Sequence, residues 1–116
     1  MDLISALGQV TNLAQQFSQL DALWSPKVIA QTGDFRVIIL LADGEFIWHT
    51  HEHEDKLFMV IDGELLIDFR ERPTVAIQKG EFFVVPKGEE SKPRSEVLTR
   101  LLLIEPIVHA TKVNGQ

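Results

Sequence analysis

Short runs of β-branched and aromatic residues, each ending at a turn-forming dipeptide, are the feature of this sequence that most constrains its fold. Asp43-Gly44, Asp62-Gly63 and Lys79-Gly80 separate such runs, and glycine in these positions is typical of tight turns. The predicted strands are 27–30, 35–41, 45–51, 57–61, 65–69, 74–78 and 82–85, with 96–104 as one strand or a strand pair. About nine short strands without helical crossovers indicate an antiparallel barrel or sandwich.

A single helix is predicted ahead of the strands, over residues 3–20. Its apolar positions recur every three or four residues and form one stripe: Leu3, Leu7, Val10, Leu13, Ala14, Phe17 and Leu20. A stripe of this kind has to be buried against the domain body or a second subunit. The predicted organisation is therefore an N-terminal helix within 1–22 that packs on the barrel or on a partner, a barrel over 23–109, and a polar tail over 110–116.

Composition excludes several classes of function. The 116 residues fit one domain with its own core. The absence of cysteine excludes thiol catalysis and iron–sulfur clusters. A net charge of −6 argues against nucleic-acid binding. The opening residues lack the positive segment of a secretory signal, and no apolar run approaches the ~20 residues needed to cross a bilayer. We expect a cytoplasmic protein with neither nucleic acid nor membrane as a partner.

Three of the four histidines lie at alternate positions, as His49, His51 and His53. In an extended strand they would share one face, where three imidazoles could hold a divalent metal ion. A histidine-rich surface strand is the alternative at this point.

If the histidines face inward, Phe46 and Trp48 point to the opposite face, and two bulky aromatics there imply that this face is covered as well. The N-terminal helix or a partner subunit could cover it, so we expect a homodimer.

Two motifs resemble those of the cupin superfamily, in particular its small single-domain members. The first reads Gly44-Glu-Phe-Ile-Trp-His49-Thr-His51-Glu-His-Glu-Asp-Lys56-Leu-Phe-Met-Val-Ile-Asp-Gly63. The second reads Gly80-Glu-Phe-Phe-Val-Val-Pro86-Lys-Gly88-Glu-Glu-Ser91. The resemblance covers residues from about 35 to 105. It implies an all-β fold, the double-stranded β-helix or jelly-roll barrel, with the one helix in front of it.

The resemblance also implies a metal shell of two histidines and a glutamate from the first motif and a histidine from the second. His49 and His51 match the first two positions, whereas the glutamate position is Lys56 and the last histidine position is Ser91. A lysine ammonium has no lone pair to donate to a metal, and two histidines alone would bind a metal weakly.

Three residues are candidates for a third metal ligand: His53, Asp55 and, on the same loop, Glu54. The expected cofactor is therefore none, or a weakly held divalent ion such as zinc, nickel, manganese or iron. The ammonium of Lys56 either lies near the vacated metal position or extends to solvent, and both arrangements stay open at this stage.

These residues favour a small barrel protein with a degenerate metal site that binds a small, anionic metabolite. Its ligand-binding residues would be His49, His51, Lys56 and Ser91, with Phe83 pointing into the barrel. The alternatives are a metal-dependent enzyme, similar to cupin sugar-phosphate isomerases or dioxygenases and using His49 and His51, and a dimeric scaffold without a ligand. Whether the protein is an enzyme stays open, and the degenerate shell leans against it.

Overall fold

A computed structural model describes residues 6–107 of the chain. One short helix and seven strands form over these residues. They are α1 (Leu13–Ser18), β1 (Lys27–Thr32), β2 (Phe35–Glu45), β3 (Lys56–Asp62), β4 (Glu64–Phe69), β5 (Val75–Gln78), β6 (Phe82–Val85) and β7 (Ser91–Pro106).

The long strand β7 joins the two walls of the structure. Its first residues pair with β4, which pairs in turn with β5. Its later residues pair with β2 on one side and β3 on the other, giving the order β1-β2-β7-β3-β6. All of these strand pairs are antiparallel, and β2 and β3 each contain or adjoin a register shift against β7 that bends the sheet. The predicted all-β antiparallel fold is confirmed.

Inward-facing side chains fill the space between the walls. The buried core consists of Ile38, Leu40, Ala42, Phe58, Val60, Leu65, Ile67, Phe69, Ile77, Val85, Leu101 and Leu103. Each fully buried aliphatic or aromatic side chain of this kind contributes roughly 1.5–3 kcal/mol to folding before entropy is counted. Because alternate residues of a strand share a face, Lys56 points inward together with Phe58 and Val60. The first inward-facing side chain of β3 is therefore the cation of Lys56.

The N-terminal helix is shorter than predicted. Within the described residues, α1 runs only from Leu13 to Ser18, and residues 3–5 of the predicted helix lie outside that part of the chain. Asn12 begins the helix as its N-cap, with its side chain accepting a hydrogen bond from the backbone N–H of Gln15 at 2.9 Å. Gly8 has a φ of +73°, which is incompatible with a continuous helix through this point. Phe17 is buried, and the guanidinium of Arg100 on β7 lies 5.5 Å from its ring centroid.

The predicted histidine strand is also wrong. Strand β2 does not turn at Asp43-Gly44 but continues to Glu45, with a register shift beside Gly44, whose φ is +77°. Beyond it the chain is irregular, and His49 forms a single bridge with Ser91. At the other end of the chain, predicted strand 96–104 lies within the longer β7. The other predicted strands are confirmed to within a few residues.

Residues 1–5 and 108–116 lie outside the described part, so the predicted tail over 110–116 stays a prediction, as do the proposed domain bounds. The helix found within residues 6–107 is too short to cross a membrane.

Candidate functional site

A cavity of about 170 Å³ lies inside the barrel, next to the histidine-rich segment. Most of its lining is apolar, and only three lining residues carry polar side-chain groups that could meet a ligand. These three are His49, Lys56 and Glu105; the apolar lining comprises Trp24, Pro26, Ile38, Leu40, Phe46, Phe58, Pro93, Leu101 and Leu103. An apolar cavity with a few polar groups at one side is the usual form of a small-molecule site.

Three charged residues form a row across adjacent strands beside this cavity. Arg36 on β2 is the register partner of Glu105 on β7, and Lys56 begins β3 on the other side of β7. The Nζ of Lys56 lies 3.2 Å from Oε1 of Glu105, and an Nη of Arg36 lies 2.7 Å from Oε2. The side chains of Lys56 and Glu105 are only 17% and 13% exposed, so water screens their attraction less than that of a surface pair. Two cations and one carboxylate leave the row with a net charge of +1.

His49 and His51 form a direct pair. Their Nε2 atoms lie 3.1 Å apart, and Nδ1 of His49 lies 3.1 Å from the carbonyl oxygen of Ile47. Because a carbonyl can only accept, Nδ1 of His49 carries its proton and donates it there. The Nε2 of His49 is then an acceptor, and the Nε2–H of His51 donates to it.

Burial is the largest cause that lowers the pKa of His51, and the charges of Lys56 and His49 add to it while Glu105 opposes the shift. Together they bring the pKa to about 4. A histidine with a pKa near 4 is uncharged at neutral pH. His51 contacts His49 and adds no positive charge to the site, and Lys56 and Arg36 supply the cationic character.

Aromatic rings continue from the histidine pair along the cavity wall. His49 meets Phe46 edge to face at 5.6 Å between ring centroids, and Phe46 stacks on Trp24 at 5.1 Å with 21° between the ring planes. Trp24 has a φ of +57°, a left-handed conformation that costs a non-glycine residue roughly 1–2 kcal/mol. Two hydrogen bonds hold it, from its backbone N–H to the Leu41 carbonyl at 2.7 Å and from its indole N–H to the Asp43 carbonyl at 3.0 Å.

The structure brings His49, His51 and Lys56 together and gives the other predicted ligand-binding residues different surroundings. Ser91 is 2% exposed and pairs with His49 through two backbone hydrogen bonds of 3.0 and 2.9 Å, so its observed contact positions the histidine. Phe83 is not part of the cavity lining. It packs on the core beside Phe69, with 6.0 Å between ring centroids.

Neither His53 nor Asp55 joins the histidine pair. His53 lies at an exposed bend, and the exposed Asp55 accepts a hydrogen bond from the backbone N–H of Lys87 at 2.9 Å. Two imidazole nitrogens bound to one tetrahedral zinc ion lie about 3.3 Å apart, close to the 3.1 Å between His49 and His51. A third donor is missing, however, because no group of three His, Asp or Glu side chains within residues 6–107 is arranged to hold a metal ion. The donor set does not fit a tightly bound metal.

Sequence reasoning missed Glu105, Arg36 and the role of Trp24. Glu105 fell one residue beyond the last predicted strand, although continued alternation after Leu101 and Leu103 would have placed it on the inner face. Arg36 was within a predicted strand but had no visible partner. The positive φ of Trp24 has no sequence signal, since neither glycine nor asparagine stands at that position.

From the sequence, we expect Phe46 and Trp48 to share an outer face that a partner or the helix would cover. Phe46 instead lines the cavity. The guanidinium of Arg70 covers Trp48, 3.7 Å from the indole centroid. These two aromatics therefore require no partner subunit. Apolar side chains are exposed elsewhere, on the outer side of β6, where Phe82 is 59% and Val84 42% exposed. The homodimer stays a prediction.

Comparisons with known proteins agree on one family. Residues 36–104 match Cupin_2, the cupin domain. The structure superposes on a cupin-2 domain containing protein from Shewanella frigidimarina with a TM-score of 0.80 and 39% identity, covering 84% of this chain and 94% of that one. A Neisseria meningitidis protein, NMB1881, gives a TM-score of 0.79 and 34% identity over 84% of this chain and 99% of its own.

A curated relative is similar at the sequence level. The uncharacterized protein YdbB of Bacillus subtilis is 38% identical over 77 residues, which is 66% of this chain and 68% of that protein. The domain match spans more than half of the chain, and it includes the histidine pair and Lys56. The chain belongs to the cupin family, with the jelly-roll barrel that the two motifs predicted.

Proposed function

We propose that this cupin-domain protein binds a small anionic metabolite in its barrel cavity, with the ammonium of Lys56 holding the acidic group. The observation that carries the proposal is the inward position of Lys56, which lines a mostly apolar cavity while remaining 17% exposed. A lysine placed inside a barrel is costly unless it is paired, and its pairing here leaves room for an additional partner.

The donor count supports an added anion. A lysine ammonium has three N–H donors and no acceptor. Among the described residues its closest charged partner is Oε1 of Glu105, at 3.2 Å, and one carboxylate oxygen accepts from only one or two of these donors. The remaining capacity can serve a ligand oxygen. The net charge of +1 on the row of Arg36, Glu105 and Lys56 favours such an oxygen when it is negatively charged.

His49 supplies the second polar surface of the cavity. Its ring is fixed by the Ile47 carbonyl and by His51, so it offers a rigid aromatic edge and face to a ligand. A fixed side chain loses little entropy when a ligand binds.

We further propose a cytoplasmic location, which the cysteine-free sequence favours because disulfides are rare in that compartment.

A metal-dependent cupin enzyme is the second candidate function. The observation in its favour is the 3.1 Å spacing of the two Nε2 atoms, which suits two ligands of one metal ion. The observation against it is Lys56, whose cation lies close enough to lower the pKa of His51 and would likewise repel a bound metal ion. The lysine makes the anion-binding function the better supported of the two.

The test is a thermal-shift screen of chelator-treated protein with small monocarboxylates, phosphate monoesters, sugar acids and neutral amides of matching size. We expect a stabilising shift with at least one class of anion and none with the matching amides. Lys56→Met should abolish the shift, while Lys79→Met, whose side chain is 73% exposed at the surface, should keep it. The absence of a shift with every anion would favour the ligand-free scaffold instead.

The metal content of the purified protein tests the alternative of a metal-dependent enzyme. Elemental analysis of protein purified without chelator should show well under one equivalent of zinc, nickel, manganese or iron. A near-stoichiometric metal that is lost in both His49→Ala and His51→Ala would establish the metal site and contradict the proposal.

A further inference from the structure

We infer that the ligand of this cavity is a flat aromatic monocarboxylate of about the size of benzoate. The inference rests on the proposed anion-binding function and narrows it to one chemical class. It is carried by the volume of the cavity, the aromatic residues of its wall and the balance of charge at its polar side.

The volume sets the size of the ligand. The cavity measures about 170 Å³, and an apolar protein cavity of about 150 Å³ accommodates one benzene molecule. The additional space is enough for one small substituent on a six-membered ring. Sugar phosphates and fused two-ring acids exceed this volume and would extend beyond the cavity.

The aromatic wall sets the shape of the ligand. Three aromatic side chains line the cavity: Trp24, Phe46 and Phe58. Trp24 and Phe46 are stacked with their ring planes 21° apart, so each ring holds the other in place in the cavity wall. Aromatic rings favour offset-stacked or edge-to-face contacts with another ring, and this preference adds to the effect of simple apolar burial.

The backbone at Trp24 gives an independent reason to regard this wall as a binding feature. Within residues 6–107, every residue with a positive φ is a glycine except Trp24. Strained conformations of this kind persist only where the surroundings fix them, and they cluster at ligand sites. Here the Leu41 and Asp43 carbonyls fix the residue, so that its ring rests against Phe46 and lines the cavity.

The charges set the number of carboxylates. Lys56 and Glu105 both line the cavity, 3.2 Å apart. One ligand carboxylate can accept from the ammonium while its ring lies on the apolar wall. A second carboxylate on the same ring would approach the Glu105 carboxylate, and two like charges at such distances repel. Glu105 therefore selects for a monoanion.

The experiment is isothermal titration of chelator-treated protein with four probes. Benzoate is the expected ligand, cyclohexanecarboxylate replaces the flat ring by a puckered one, benzamide removes the charge, and phthalate adds a second carboxylate. We expect benzoate to bind at least about fivefold more tightly than each of the other three.

The outcomes separate this inference from the proposed function. If cyclohexanecarboxylate binds as tightly as benzoate, the aromatic class is wrong while anion binding stands. If phthalate binds as tightly as benzoate, the selection by Glu105 is wrong. If neither monocarboxylate binds, the inference fails, whereas the proposed function fails only if the phosphate monoesters and sugar acids of the thermal-shift screen give no shift either.

A pair of variants locates the binding. Phe46→Leu keeps an apolar side chain in the cavity wall but removes the stacking ring, and we expect it to weaken benzoate by about three- to tenfold with less effect on cyclohexanecarboxylate. Phe35→Leu makes the same change at a side chain that is 47% exposed outside the cavity, and it should leave both affinities unchanged. Equal effects of the two substitutions on benzoate would overturn the assignment. Phe58→Leu serves the same comparison if Phe46→Leu does not fold.

Discussion

The Nζ of Lys56 lies 3.2 Å from Oε1 of Glu105, and this contact joins the first residue of β3 to the inner face of β7. Arg36 reaches the other carboxylate oxygen from β2, so that one carboxylate connects three neighbouring strands beside the cavity. A cation thus lies inside the barrel where the resemblance to cupins implied a metal-binding glutamate. The chemistry that we propose for the site follows from this exchange.

Glu105→Gln should destabilise the protein. Removal of the carboxylate leaves the mostly buried ammonium of Lys56 and the partly exposed guanidinium of Arg36 without their shared partner. We expect this to lower the free energy of unfolding by about 1–3 kcal/mol. Urea denaturation monitored by circular dichroism measures this change. The matched control is Glu96→Gln, because Glu96 is 75% exposed and 3.6 Å from Arg94. It should change stability by less than about 0.5 kcal/mol. A similar loss in both variants would mean that the row of Arg36, Glu105 and Lys56 stabilises the fold no more than a surface ion pair does.

The low pKa of His51 predicts a loss of stability in mild acid. The unfolded ring binds a proton near pH 6.5 and the folded ring only near pH 4, so the unfolded state holds more protons between these values. The free energy of unfolding should therefore fall as the pH is lowered from about 6.5 to 4, by about 1–3 kcal/mol from this residue. Below pH 4 its contribution is already lost.

Two variants isolate this effect in chelator-treated protein. His51→Gln should show a flatter dependence of stability on pH between 6.5 and 4 than the wild type. His53→Gln alters a neighbouring histidine at an exposed bend and should follow the wild-type curve. The assignment is wrong if His51→Gln retains the full slope.

Gly63→Ala should be strongly destabilising because the turn between β3 and β4 touches β7. A Cβ at this position would lie 2.4 Å from Oγ1 of Thr99 and 2.9 Å from its Cα, and the residue has a φ of +97°. Thr99 cannot move easily, since its hydroxyl bonds the Glu64 carbonyl and the Ser95 hydroxyl. We expect a loss of at least about 2 kcal/mol in the free energy of unfolding.

Gly80→Ala separates the clash from the backbone strain in that measurement. Gly80 has a similar φ of +85°, but an alanine Cβ at this position would meet no atom within 4 Å. Its substitution should therefore cost only about 1 kcal/mol, from the backbone conformation alone. Equal losses for Gly63→Ala and Gly80→Ala would show that the turn and β7 are not in close contact.

A homodimer is expected to use the outer side of β6. Phe82 and Val84 are exposed there, and within residues 6–107 β6 pairs with β3 alone, so that no strand of this part of the chain occupies its other edge. Light scattering coupled to gel filtration should give about twice the chain mass of 13.1 kDa for the wild type. Phe82→Glu should shift the population towards the monomer, whereas Val97→Glu, at another exposed apolar residue, should not. A monomeric wild type would contradict the expectation.

The fold was largely predictable from local signals, whereas the site was predictable only in part. Glycine at the ends of strands and the alternation of apolar residues are local properties, and Gly63 fixed the position of Lys56 by simple counting. The partner of Lys56 is Glu105, 49 positions later along the chain, and its approach depends on the register of β7 against β3. A register of this kind is set by packing of the whole barrel and cannot be counted along the sequence.

The histidine strand and the length of the N-terminal helix were predicted wrongly. Residues 46–48 carry strand-forming side chains, but β2 ends at Glu45, just after the register shift beside Gly44, and Phe46 lines the cavity. Tertiary contacts thereby override local preference. The helix was overestimated because its apolar stripe passes through Gly8, whose positive φ is incompatible with a helix.

The central claim is that Lys56, and not a metal ion, supplies the positive charge that holds an anion in this cavity. The most direct test is the dissociation constant of a small carboxylate such as benzoate, measured by calorimetry before and after zinc or iron(II) is added to chelator-treated protein. We predict the same dissociation constant within about twofold in both states, with binding lost in Lys56→Met. An affinity that rises at least about tenfold on addition of metal, with the metal bound at one equivalent through His49 and His51, would contradict the claim.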